Sequence, residues 1–149
     1  MDKPAEILLF DVLGDVIAAA AADSVLADLE LHDTIYQKIT KPRGVRISDA
    51  VGDLAPNAGG EMQEWDVTLI LTCYSRIEGT NKKARQPALI DVFGIQKAIA
   101  AVLFANGSLG GRVCDSLLQK GGRGYDAYDE GTFAVTNTPL IINPRELGR

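Results

Sequence analysis

Histidine is nearly absent from this chain of 149 residues: His32 stands alone, in an acidic stretch. Most zinc sites and most serine or cysteine nucleophiles need histidine, so its scarcity argues against those classes of enzyme. Cysteine is also scarce, because Cys73 and Cys114 are the only two and they lie far apart with no CxxC motif. This spacing argues against a disulfide framework and predicts reduced thiols. The two shortages favour a structural or binding role, with no catalytic residue, cofactor or metal.

Long apolar runs and a surplus of positive charge are missing as well. The longest runs, such as Ile17–Ala22 and Val67–Leu71, are far too short to span a bilayer, and no charged-then-apolar leader opens the sequence. Acids outnumber bases by 20 to 15, which gives a net charge of −5, whereas a free-standing nucleic-acid binder usually carries a basic surplus. We therefore expect no membrane partner, no secretion and no specific binding of nucleic acid.

What remains is the composition of one globular domain over residues 1–149. Hydrophobic residues make up 46% and charged residues 23%, and a chain of this length can bury a sizeable core. Apolar residues at three- and four-residue spacing predict a helix over residues 5–22 and a second helix over about 84–105, with Pro87 in its first turn. Alternation predicts a strand over Trp65–Arg76, whose partly apolar second face needs cover from another element or chain.

Weaker patterns complete the predicted order of elements. Consecutive strands have short links and do not alternate strictly with helices, which favours an α+β domain. Its predicted architecture is a mainly antiparallel sheet with two main helices packed on one face. The remaining predicted elements are a short helical piece at Val25–Leu31, a short strand at Val45–Ile47, a long loop over 50–63, a strand at Arg112–Leu118, a loop at Lys120–Gly124, a last strand at Thr132–Ile142 with a bulge or edge position near Pro139, and a loose tail over 143–149.

Two kinds of motif suggest enzyme chemistry at first sight. The glycine-rich segments 107–111 and 121–124 fit neither GxxxxGK[ST] nor a strand–GxGxxG–helix context, so turn chemistry explains them better than a phosphate site. The carboxylates Asp126, Asp129 and Glu130 cluster beside two tyrosines and could serve a glycosidase or hold Mg²⁺. A solvated hairpin loop is the favoured interpretation, and a small carboxylate- or Mg²⁺-dependent enzyme stays open as an alternative.

The charges are segregated along the chain. Residues 1–37 carry eight acids and one base, residues 1–75 sum to −8, and residues 76–149 sum to +3. Runs of surface charge are usually only solvated. Segregated charges can also join copies of one protein head to tail, and such a contact closes into a ring when the rotation permits. The candidate interface residues are Arg43, Arg46, Arg76, Lys82, Lys83 and Arg85, together with Asp11 and Asp15 on the first helix.

The order of the elements and several short motifs resemble one protein family. The long strand ends in Cys73-Tyr74-Ser75-Arg76, and Glu78-Gly79 and a basic helix entry follow it. After that helix come Leu109-Gly110-Gly111-Arg112-Val113 and a last strand, with Phe133-Ala134-Val135, that ends at Pro139–Asn143. The amphipathic first helix leads into a strand region at Ile35–Ile47. Residues 5–143 thus resemble the tail-terminator and tail-completion (neck) proteins of long-tailed bacteriophages and phage-like particles.

The resemblance implies a structural protein of the virion tail or neck, made in the host cytoplasm. Such proteins are α+β domains that assemble as rings, which are expected to be hexameric here. The ring caps the tail tube, ends its polymerisation and offers a surface for head–tail joining. The implied partners are further copies of the chain, the tail-tube protein and a head-completion or neck protein. DNA passes through the lumen without specific binding, which suits an acidic protein because a negative lumen does not trap DNA.

Two neighbouring roles in virion assembly remain open at this point. A head–tail connector adaptor binds the portal side, and a tail-tube subunit polymerises into long filaments rather than single rings. The sequence motifs do not separate these roles from that of a terminator.

Overall fold

The computed structural model describes residues 5–32, 38–49, 53–54, 65–79, 82–105, 115–118, 122–128 and 130–143. Two α-helices and seven strands are assigned within these ranges. In chain order they are α1 (Ala5–Ala18), β1 (Glu30–His32), β2 (Arg43–Asp49), β3 (Asp53–Leu54), β4 (Trp65–Arg76), α2 (Arg85–Ala105, after a 3-10 turn at Lys82–Ala84), β5 (Asp115–Leu118), β6 (Gly122–Tyr128) and β7 (Gly131–Asn143).

The strands form one sheet in the order β1-β2-β4-β7-β5. The strand β4 lies between β2 and β7 and is antiparallel to both, while the short β1 adds to β2 in parallel. The small β3 pairs with the start of β4. On the other edge of β7, β6 pairs with its first half and β5 pairs with its end. The predicted α+β class with a mainly antiparallel sheet is confirmed.

The main core lies against one face of the sheet, because side chains alternate along each strand. Leu69, Leu71 and Cys73 of β4 are buried there as predicted, beside Val45 and Ile47 of β2. The same cluster includes Leu9 and Leu13 of α1 and one stripe of α2, which buries apolar area from both helices. The stripe of α2 consists of Ala88, Val92, Ile95, Ile99 and Leu103.

The second face of β4 is covered in part within the chain itself, at Tyr74. Tyr74 is 1% exposed and forms a small cluster with Ile39, Phe133 and Val135. The rings of Tyr74 and Phe133 meet edge to face, with 5.5 Å between their centroids. The sequence predicts that the apolar residues on this face need cover from another element or chain. Tyr74 has that cover from β7 and from the segment that precedes β2.

Helix α2 is long and apolar enough to cross a membrane by length and composition alone. A core helix of a globular domain passes the same test, and α2 contributes five buried side chains to the core. Its outer side carries two exposed large hydrophobic residues, Ile90 and Phe104. The predicted bounds of this helix are confirmed to within one residue.

The segment after α1 differs from the prediction. The helix ends at Ala18 instead of residue 22, because Ala20 N–H turns to the Ile17 carbonyl, a tighter 3-10 type contact. The helical piece predicted at Val25–Leu31 is wrong: residues 25–28 form turns, and residues 30–32 form β1. Asp28 has a φ of 57°, a left-handed conformation that ends any helix.

The loop predicted at Lys120–Gly124 and the hairpin loop predicted after it are also wrong in part. Residues Gly122–Tyr128 form a strand, because pairing with β7 outweighs the low strand propensity of glycine. The chain reverses near Glu130, and Gly131 takes a positive φ of 138° in the turn. No bulge interrupts the pairing of β7 with β4, and Pro139 lies opposite the break between β5 and β6.

Several predicted segments fall outside the described residues. The predicted strand Arg112–Leu118 is described only over β5. The predicted loop over 50–63 is described only over β3. Of the predicted tail over 143–149, the structure describes only Asn143, which is the last residue of β7. The predicted strand region at Ile35–Ile47 is described from residue 38, with strand structure from Arg43 onward.

Candidate functional site

Arg43, a candidate interface residue, lies at the start of β2 and is engaged inside its own chain. Its Nε and one terminal nitrogen donate to the two carboxylate oxygens of Asp91 on α2, at 2.7 and 2.9 Å. The same guanidinium donates to the carbonyls of Val25 and Ala27, which ties the turn after α1 to the sheet. Ser75 Oγ also donates to Asp91, at 2.8 Å. A bidentate pair of this geometry fixes orientation as well as charge, so this group joins α2, β2 and β4.

Replacing Asp91 by asparagine is expected to lower the free energy of unfolding by about 1–2 kcal/mol, because a half-buried Arg43 loses its counter-charge. Urea unfolding followed by circular dichroism measures the change. Lys97→Gln is the matched control on the exposed side of the same helix, where substitutions usually change stability by less than about 0.5 kcal/mol. Equal stability of the two variants would contradict the assigned role of Asp91.

Arg46, the second candidate on β2, faces the other side of the sheet and is only 6% exposed. Its Nε donates to Nδ1 of His32 at 3.0 Å, and its guanidinium carbon lies 5.9 Å from the centre of the Tyr74 ring. Because Nδ1 of His32 accepts this bond, the imidazole proton is assigned to Nε2, which contacts Glu30 Oε1 at 3.0 Å. The single histidine of the chain is thus held between an arginine and a carboxylate.

Glu30 on β1 is the centre of this polar network. Tyr74 Oη donates to its carboxylate at 2.7 Å, and both the backbone N–H and the hydroxyl of Thr40 donate to it as well. Burial alone would raise the pKa of Glu30, but the hydrogen bonds from Thr40 and Tyr74, with a contribution from His32, outweigh it and lower the pKa to about 2. The ionised carboxylate therefore fastens the segment before β2 onto β1 and β4.

Gly44 explains how Tyr74 reaches Glu30 from two strands away. Glu30, Gly44 and Tyr74 are direct neighbours across β1, β2 and β4, so they share one face of the sheet. The Tyr74 ring lies over Gly44, where a Cβ atom would come within 2.6 Å of the ring carbon Cζ and 2.5 Å of the Glu30 carbonyl oxygen. Only glycine leaves room for this crossing.

The second basic group lies at one end of the sheet, and we call it the arginine–aromatic end. It comprises Arg76 on β4 with Phe133 on β7, and Arg85 at the start of α2 with Tyr125 on β6. The Arg76 guanidinium carbon lies 5.5 Å from the centre of the Phe133 ring, and that of Arg85 lies 5.0 Å from the centre of the Tyr125 ring. Cation–π contacts at these distances hold each guanidinium against a ring.

The remaining candidates fall into place around these groups. Lys83 is exposed next to Arg85, while the side chain of Lys82 lies outside the described part of the chain. On α1, Asp15 is exposed, and Asp11 lies one turn before it and is half-buried. Structure therefore separates the predicted set: Arg43 and Arg46 contact their own chain, while Arg76, Lys83, Arg85 and Asp15 remain at or near the surface. The prediction that they form a subunit interface stays a prediction.

The carboxylate cluster predicted around residues 125–130 is only partly described. Tyr125 and Asp126 are consecutive residues of β6, while Asp129 lies outside the described residues. Within the described ranges, no group of three or more histidine, cysteine, aspartate or glutamate residues could hold a metal ion. Cys73 is buried, which raises the pKa of its thiol to about 12 and keeps it a packing residue, as predicted.

Asp91 is not among the residues predicted from the sequence, although its position on α2 carries a signal. Asp91 lies between Ala88 and Ile95 of the buried stripe, and a carboxylate near that stripe of an apolar helix needs a partner from another element. The missed roles of Tyr74 and Thr40 have no such signal, because both depend on which strands pair.

No protein-family model matches the chain, and no curated protein matches it.

Proposed function

We propose that this protein is a tail terminator of a long-tailed bacteriophage or phage-like particle: a subunit of a ring that caps the tail tube and ends its polymerisation. The observation that carries the proposal is the segregation of charge along one α+β domain, because residues 1–75 sum to −8 and residues 76–149 sum to +3. Among the described residues, Arg76 and Arg85 lie at the arginine–aromatic end, where Glu78 is also exposed, and Asp15 is exposed on α1. Segregated charges favour head-to-tail contacts between copies, and such contacts close into a ring when the rotation permits.

The internal networks support the same proposal. The ionisable side chains best suited to catalysis serve the fold instead. His32 contacts Glu30 and Arg43 pairs with Asp91, and these contacts hold strands, turn and helix together. Side chains fixed in this way give a subunit a defined shape, which a ring needs in order to close. The ring offers one face to the tail-tube protein and the other to a head-completion or neck protein, while DNA passes through the lumen unread.

The test is assembly with purified protein and purified tail tubes. Light scattering after size-exclusion chromatography, over a range of concentrations, is expected to show a single discrete oligomer with the mass of a hexamer. Negative-stain images are expected to show rings, and added protein is expected to cap tube ends and stop further elongation. A protein that stays monomeric at high concentration and never binds tube ends would overturn the proposal.

The neighbouring roles give different results in the same experiment. A tail-tube subunit polymerises by itself into long filaments, whereas a connector adaptor binds the portal and leaves tube ends free to elongate. Either outcome would replace the terminator role with the other one.

A further inference from the structure

We propose that the outer face of helix α2 is a contact surface for the same face of α2 in a second copy of this chain, with the two helices antiparallel. This contact is isologous, whereas the proposed ring is built from head-to-tail contacts, so the inference goes beyond the ring and does not rest on it. It joins copies in pairs, whether or not those copies also belong to a ring.

The outer face of α2 is more apolar than the surface of an ordinary solvated helix. An 18-residue stretch of α2 is apolar enough to cross a membrane, yet only 28% of that stretch is buried within the chain. Phe104 is 92% exposed and Ile90 is 72% exposed, the highest values among the large hydrophobic residues described. Exposed hydrophobic surface that gathers on one element is typical of an interaction site.

Contacts within the chain define which side of α2 faces outward. Asp91 accepts the Arg43 fork, and Gln96 Nε2 donates to the Thr138 hydroxyl at 2.7 Å. Lys97 and Phe104 follow Ile90 at steps of seven residues, and each step drifts by only about 20° around a helix, so the three side chains lie along one side. From Ile90 onward, the exposed residues of the helix are Ile90, Lys97, Ala101, Phe104 and Ala105.

This exposed stripe is symmetric about Lys97. Ile90 lies seven residues before Lys97 and Phe104 lies seven residues after it, which is about 10 Å on each side at 1.5 Å per residue. In an antiparallel pair that crosses at Lys97, Ile90 of each copy therefore packs against Phe104 of the other. The stripe is thus complementary to itself, as an isologous contact requires.

The charges at the two ends of α2 favour the antiparallel direction. Lys83 and Arg85 lie at its start, with no acid in its first turn and no base in its last turn. The start of a helix is its positive end, and cations are favourable at the negative end. Antiparallel pairing places Arg85 of one copy about 6 Å beyond Ala105 of the other along the axis, beside a last turn that has no base of its own. A parallel pair would place the two basic ends together.

Lys97 favours a second helix over a lipid surface as the occupant. The long stem of a lysine can lie along apolar surface and carry its ammonium group to water beside a narrow pair of helices. In the middle of a bilayer the same charge is costly. A single lysine in an apolar seam also fixes the register of paired helices at a cost in stability.

The size of the contact predicts a weak pair. An aromatic side chain buries about 150–250 Å², so two Phe104 side chains supply about 300–500 Å². A stable complex buries about 1,200–2,000 Å² in total, which two Phe104 and two Ile90 side chains do not reach by themselves. We therefore expect transient pairs, which a covalent trap detects better than chromatography does.

Lys97→Cys tests the pairing, because a residue at the crossing point lies next to its own copy, at the separation that a disulfide needs. In a Cys114→Ser background, which leaves the buried Cys73 as the native thiol, oxidation by copper phenanthroline is expected to give disulfide-linked dimers on a denaturing gel. Asp15→Cys in the same background is the matched control, since it places an exposed cysteine on α1. Its dimer yield is expected to be at least fivefold lower.

A second set of variants tests the apolar part of the contact. Phe104→Ser or Ile90→Ser, each added to Lys97→Cys, is expected to lower the dimer yield at least fivefold, because the facing side chains lose their apolar partner. Ile7→Ser makes the same change at a 46% exposed residue of α1, and is expected to leave the yield unchanged. Circular dichroism verifies that every variant is folded.

The outcomes separate this contact from the proposed function. A Lys97→Cys yield no higher than that of Asp15→Cys, or one that Phe104→Ser does not lower, would overturn the α2 contact and leave the ring function standing. Absent cross-linking, together with binding to vesicles of phosphatidylcholine and phosphatidylglycerol that Phe104→Ser abolishes, would replace the second copy by a lipid surface. Cross-linked pairs from a protein that never forms rings would overturn the proposed function alone.

Discussion

Replacing Gly44 by alanine is expected to destabilise the fold by about 3 kcal/mol or more, because the added methyl group has no space. A Cβ at this position would lie 2.5 Å from the carbonyl oxygen of Glu30 and 2.6 Å from Cζ of Tyr74, with the Tyr74 hydroxyl closer still. One obstacle is backbone of the neighbouring strand and the other is a buried ring, so neither can move away easily. The expected damage is loss of β1 pairing and of the Tyr74–Glu30 hydrogen bond together.

Gly124→Ala is the matched control for this prediction, since it makes the same change on β6 where a Cβ meets nothing within 4 Å. Its effect on the free energy of unfolding is expected to stay below about 0.5 kcal/mol. Urea titration of both variants, followed by far-ultraviolet circular dichroism, gives the two values. A Gly44→Ala protein as stable as the Gly124→Ala protein would show that Tyr74 does not cross β2 at Gly44.

The parts of the fold that the sequence predicts well are those whose signal is local and long. Strand β4 and helix α2 fall at their predicted bounds, within one residue, because a regular alternation or a helical period over 12 or more residues leaves little choice. Strand β7 also matches its prediction closely, apart from the bulge. For these elements the spacing of the apolar residues predicts which side chains are buried.

The parts that the sequence does not predict are those that depend on a partner strand. Strand β1 is three residues long and forms by parallel pairing with β2, between residues 14 positions apart, as Glu30 and Gly44 are. No local sequence pattern predicts such a contact. Strand β6 begins with Gly122 and includes Gly124, residues that favour turns when taken alone. In both cases tertiary pairing decides the structure against local propensity.

The candidate site shows the same division. A run of basic residues from Lys38 to Arg46 predicts a charged surface, but alternation in β2 turns Arg43 and Arg46 to opposite faces, where each meets a partner of its own chain. Their partners, Asp91 and His32, are 48 and 14 residues away in sequence. The arginine–aromatic end was predicted only through its charges, because the stacking of Arg85 on Tyr125 needs the unpredicted strand β6.

Acid is expected to remove a large part of the stability of this protein through one residue, Glu30. Its pKa is about 2 in the folded protein against an ordinary value of 4.5, so the unfolded chain binds the proton more readily. A depressed pKa contributes stability that is fully present above about pH 4.5 and is lost as the pH falls towards 2. A shift of this size corresponds to at most about 3 kcal/mol, since each pKa unit is worth about 1.4 kcal/mol and water at the exposed Thr40 screens part of it.

The measurement is the free energy of unfolding by urea at several pH values between 7 and 2, for the unchanged protein and for Glu30→Gln. The amide keeps the shape of the side chain and cannot ionise, so the difference between the two proteins is expected to be largest near pH 7 and to shrink steadily below pH 4.5. Asp28→Asn is the matched control: its carboxyl pKa is also lowered, by Lys41, but the group is fully exposed and water screens the pair. Asparagine also tolerates the left-handed φ of 57° at that position. The pH dependence of the Asp28→Asn protein is therefore expected to follow that of the unchanged protein, and a Glu30→Gln protein that does the same would show that the Thr40 and Tyr74 hydrogen bonds do not hold an ionised Glu30.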